Sequence, residues 1–119
     1  MTNPHEVYEN NEKWAEIWIL FDDGKYSVIS GAYMGTPERR LAERWNGSSK
    51  DDRPLGFPIN EKGQSAWFLV PEFLEIPLLH ALLNEVLKHP NIQQIRVSDP
   101  AKYIVTELKN KSRRVATKN

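Results

Sequence analysis

Leu78, Leu79, Leu82, Leu83, Val86 and Leu87 recur at helical spacing across residues 76–89, with His80, Ala81, Asn84, Glu85 and Lys88 on the other side. An apolar stripe of that width must be buried against a second layer, which predicts an amphipathic helix packed on a sheet. Pro77 suits its first turn, and Pro90-Asn91 ends it. Strand-like runs flank it, Ala66–Val70 before and Ile92–Val97 after. Strands joined by one short helical connection are expected to run parallel through a right-handed crossover. A last helix opens at Asp99-Pro100 and gathers Ala101, Ile104, Val105 and Leu108 on one stripe.

The N-terminal half reads as a hairpin. A strand from about Lys13 to Phe21 meets Asp22-Asp23-Gly24, and a second returns from Lys25 to about Tyr33. Alternation puts Ala15, Ile17, Ile19 and Phe21 on one face and Trp14, Glu16, Trp18 and Leu20 on the other, so the strand is expected to be covered on both sides. Gly35-Thr36-Pro37-Glu38 has the cap, proline and acid of a helix start, which predicts a short helix over 36–45 stopped by Asn46-Gly47. The predicted class is α+β (mixed α/β), in the order β-β-α-β-α-β-α, with a four-stranded mixed sheet. A chain of 119 residues is expected to form a single domain, 1–119. Within it, 1–11 reads as a flexible arm, 47–65 as a long loop anchored by Leu55, Phe57 and Ile59, and 111–119 as a basic tail.

Composition narrows the chemistry. The chain has no cysteine, which excludes disulfides, thiolate nucleophiles and Cys-type zinc sites. Its longest apolar run, Ile17–Phe21, is far short of the roughly twenty residues that span a bilayer. The first residues do not read as a signal peptide, so a cytoplasmic protein without membrane contact is expected. Net charge is zero, yet acids crowd residues 6–23 and bases crowd residues 102–118. Such ends pair with oppositely charged partners, with each other, or with solvent.

No phosphate-binding loop is present: the segment 30–36 has two glycines but neither the third glycine of a dinucleotide fingerprint nor a Gly-Lys-Ser/Thr. His5, His80 and His89 have no metal-ligand spacing, and no serine sits in a nucleophile elbow. Arg40, Arg44, Arg113 and Arg114 are candidates for a phosphate-contacting surface, or are simply solvated. Trp14 and Trp18 are candidates for a protein or homodimer interface, unless the arm or long loop covers them.

The carboxylates have two readings. Residues 74–110 carry a helix with an early acid, Glu75, then a strand leading to Asp99, then a helix. This order resembles the ribonuclease H-like family. The resemblance implies a nuclease in which Asp22 or Asp23, Glu75 and Asp99 hold Mg²⁺ for phosphodiester hydrolysis. The alternative account is helix-end chemistry, with Glu75 at a helix N-terminus and Asp99 as a cap. That second account favours a non-catalytic binding or accessory protein without cofactor, acting through protein contacts, with self-association and nucleic acid as further partner expectations.

Overall fold

The computed structural model describes residues 14–46, 56, 58, 66–88 and 99–117. Within them the chain is α+β: strands β1 (Trp14–Asp22), β2 (Tyr26–Tyr33), β3 (Arg39–Trp45) and β4 (Phe68–Leu69), then helices α1 (Glu72–Lys88) and α2 (Pro100–Thr117). The strands form one sheet in the order β1-β2-β3-β4, each neighbouring pair antiparallel. The predicted mixed sheet is therefore replaced by an antiparallel one among the described residues. The strand expected at 92–97 lies outside them, as do the arm at 1–11 and most of the loop at 47–65.

The helix expected over 36–45 is a strand. All of β3 pairs with β2, from Tyr26↔Trp45 to Ala32↔Arg39. The cause is the turn before it. Met34 and Gly35 both take positive φ, 54° and 76°, and the Thr36 N–H donates to the Tyr33 carbonyl at 3.1 Å. Two left-handed central residues make a primed turn, whose twist matches that of a hairpin. The Thr36 hydroxyl bonds the carbonyls of Tyr33 and Glu38 rather than capping a helix. A short helix closes few hydrogen bonds for its costly first turn, whereas the hairpin secures the whole ladder.

Strand β1 is irregular at two points, between Ala15 and Trp18 and between Ile19 and Phe21. At the first, Glu16 has φ of 51°. An extra residue reverses the alternation beyond it. Trp14 and Trp18, expected on one face, consequently lie on opposite faces. Trp18 joins the helix-side core of Leu20, Phe21, Val28, Leu41, Val70, Leu79, Leu82 and Ile104. Trp14 joins Ile29, Ala42 and Trp67 on the far side.

Helix α1 begins at Glu72, one turn before the expected start, and the Leu74 N–H donates to the Pro71 carbonyl. Pro77 therefore sits in the second turn, where its missing N–H falls opposite the carbonyl of exposed Phe73. Leu79 and Leu82 point into the core, as the stripe requires, whereas Leu87, expected on the same stripe, is exposed. Among the described residues no helix is long and apolar enough to cross a membrane.

Met34 pays a conformational penalty that asparagine largely avoids, because asparagine tolerates the left-handed region. Met34→Asn is expected to raise stability by about 1 kcal/mol, roughly 4 °C in Tm. Thermal unfolding followed by circular dichroism measures it; an unchanged or lowered Tm contradicts the primed turn.

Candidate functional site

Among the described residues, the densest polar constellation lies where β3, α1 and α2 meet. Arg39 and Arg40 open β3, Glu75 sits in the first turn of α1, and Glu107 and Lys111 are one turn apart on α2. The side chains of Glu75 and Glu107 are each 1% exposed, and that of Lys111 is 3% exposed. Glu75 is the hub. Its Oε2 accepts the Leu41 backbone N–H at 2.9 Å, lies 3.2 Å from Lys111 Nζ, and is 3.3 Å from Arg40 Nε. Lys111 Nζ also donates to the Arg39 carbonyl at 2.9 Å and lies 3.7 Å from Glu107 Oε2.

Arg39 closes the cluster on the helix side. Its Nε is 3.3 Å from Glu107 Oε1 and donates to Ser30 Oγ at 3.0 Å. Its Nη2 bonds the carbonyls of Glu16 and Ser30, and the guanidinium lies 3.7 Å over the Trp18 ring. Burial lowers the Arg39 pKa, and the neighbouring Glu107 carboxylate works against that shift. Arg40 Nη2 donates to the Val70 carbonyl at 2.8 Å, and its Nη1 is 3.9 Å from Glu72. A cleft of about 240 Å³ borders the cluster, lined by Pro37, Glu38, Arg39, Glu107, Asn110 and Lys111.

Chemically this is a neutralised cluster. Both carboxylates face cations, and Lys111 Nζ faces three acceptors, Glu75 Oε2, Glu107 Oε2 and the Arg39 carbonyl. Such a group is a good crosslink. The arrangement can hold two helices on one strand.

The four acids expected at a metal site are dispersed. Asp22 ends β1, where its Oδ1 accepts the Gly24 N–H at 3.0 Å and Asn46 Nδ2 at 3.3 Å. Asp23 accepts the N–H groups of Lys25 and Tyr26. Asp99 Oδ1 accepts the Lys102 N–H at 3.3 Å, the bond of a helix cap. Asp22 contacts Asn46 while Glu75 contacts Leu41, five residues along the strand, which is a separation of roughly 16 Å. Among the described residues, no three His, Cys, Asp or Glu side chains stand close enough to hold a metal ion.

The expected interaction residues are also dispersed. Arg40 belongs to the Glu75 cluster. Arg44 is buried, donating from Nη1 to the Ala66 carbonyl with its guanidinium 5.8 Å from the Trp67 ring. Both arginines lie on β3 rather than on the helix expected over 36–45. Arg113 is exposed on α2, and the Arg114 side chain lies outside the described residues. Trp14 is buried against Tyr33, and Trp18 packs on Tyr103 of α2. His80 is exposed; His5 and His89 lie outside the described residues.

Sequence reasoning missed Arg39, Glu107 and Lys111. The available signal was the row Ile104, Glu107, Lys111, which continues an apolar stripe with charges at i+3 and i+7. A Glu–Lys pair one turn apart ordinarily reads as solvent-facing.

Removing one partner from a buried ion pair leaves a desolvated charge behind. Lys111→Met is expected to destabilise the fold by about 3 kcal/mol or more, against about 0.5 kcal/mol or less for the exposed Arg113→Met. Urea unfolding of both variants measures the difference, and equal midpoints contradict the crosslink. Asp22 supplies a pH-dependent test, since burial raises its pKa above 3.8, outweighing its hydrogen bonds. Ionisation then costs stability in the fold, so the contribution of Asp22 is greatest below about 4 and is lost as pH rises through the folded value. The stability of wild type relative to Asp22→Asn should fall as pH increases from 4 to 7; a rise over that interval contradicts it.

The chain matches no family model, no curated protein and no solved structure.

Proposed function

We propose that this chain is a non-catalytic binding or accessory protein of the cytoplasm that works through protein contacts. The supporting observation is where its large apolar side chains meet solvent. Trp45 at the end of β3, Phe68 and Leu69 of β4, and Leu74 in the first turn of α1 are all exposed. They lie on or beside β4, the last strand of the sheet among the described residues. Exposed aromatics suit a protein partner, because burying the rings removes apolar surface from water. The ionisable groups support the same reading from the other side. Glu75, Glu107, Asp22 and Asp99 each serve a crosslink, a turn or a cap.

Proximity labelling in cells, comparing wild type with Trp45→Ser and Leu69→Asp, tests the proposal. Specific protein neighbours should be lost in both variants while the circular dichroism spectrum is unchanged. Identical neighbours in all three chains would count against this surface. Hydrolysis of RNA or DNA with Mg²⁺ that Asp99→Asn abolishes would overturn the non-catalytic reading in favour of the nuclease.

A further inference from the structure

Helix α1 carries a second seam on the side facing away from the core, apolar at Phe73, Pro77 and Leu87 and polar at His80 and Asn84. Phe73, Pro77, His80, Asn84 and Leu87 are all exposed, Phe73 at 78% and Leu87 at 65%. Their spacings are four, three, four and three residues, the repeat of a helix-pairing seam. The inward face of the same helix is already occupied by Leu79 and Leu82 in the core. A helix with apolar residues on both sides is ordinarily covered on both.

We infer that this seam binds a second copy of the chain, α1 against α1, antiparallel about a twofold axis at His80. The inference deepens the protein-contact reading by naming a partner, and it uses a different surface from β4. Three observations select the occupant. First, the seam is self-complementary: Phe73 and Leu87 stand seven residues either side of His80, so each ring meets the other copy's leucine. A twofold contact requires this reciprocity, residue i on j and j on i. Second, the ends are complementary. The first turn is acidic, with Glu72 beside Arg40, and the last turn carries Lys88, so antiparallel packing sets an acidic end near a basic one. It also opposes the two helix dipoles. Third, the centre admits close approach. Pro77 falls beside the second copy's Asn84, and Ala81 flanks the axis with only a methyl group.

One helix pair is a small interface, so the expected dissociation constant is on the order of 10 μM. Sedimentation equilibrium between about 1 and 500 μM, with four variants, tests the arrangement. Phe73→Glu and Leu87→Lys should each weaken association at least tenfold. The double variant Phe73→Glu/Leu87→Lys should recover it, since each new carboxylate meets the other copy's ammonium. His80→Asp should also weaken association by placing two carboxylates at the axis. At about 1 μM, below the expected dissociation constant, circular dichroism and Tm should match wild type throughout, because every altered residue is exposed. A wild-type monomer at 500 μM overturns the inference. So does a dimer that the single variants leave intact, or one that the double variant fails to restore. Those outcomes leave the β4 surface to its own test, since Trp45 and Leu69 are outside the seam.

Discussion

One carboxylate oxygen joins three elements of this molecule. Glu75 Oε2 takes a backbone N–H from β3, an ammonium from α2 and a guanidinium from Arg40. Taking that charge out of water costs several kcal/mol, which is recovered only if every partner is in place. The register of α1 on the strand and the seating of α2 are therefore linked through this oxygen. Apolar packing of Leu79, Leu82 and Ile104 would tolerate small slips of either helix. The ion cluster tolerates them far less, because its bonds have direction.

The sheet presents different surfaces because β1 carries extra residues. The irregularity after Ala15 sends Trp18 to the helices and keeps Trp14 on the far face. Trp18 then becomes the platform on which Arg39 rests. A stacked guanidinium is held flat, which fixes its edge toward Ser30 and Glu107. The bulge, the tryptophan and the Arg39 side of the ion cluster are thus in direct contact with one another.

These structural duties bear on function. Carboxylates that looked chemically promising are ones that the fold consumes: Glu75 ties α1 to Lys111 of α2, Asp22 closes a hairpin, and Asp99 starts a helix. Large apolar side chains are also exposed. They concentrate around β4 and along the outer side of α1, where burial by another protein would remove them from water.

Much of this was legible in the sequence. The α+β class, the first hairpin and the inward Leu79 and Leu82 follow from local periodicity, which needs only a helix or strand and a core to face. The cap at Asp99 follows from its position before Pro100. Tertiary structure decided the rest. Thr36-Pro37-Glu38 has local helix chemistry, but seven ladder pairs with β2 outweigh it, and a segment cannot reveal its pairing partner. A bulge reverses a face without changing composition, so Trp14 and Trp18 could not be separated by alternation. Glu107 and Lys111 look like any surface pair until β3 supplies Arg39 and closes over them. Local sequence set which elements could form; contacts between residues distant in the chain set which ones did, because only they satisfy buried charge and backbone together.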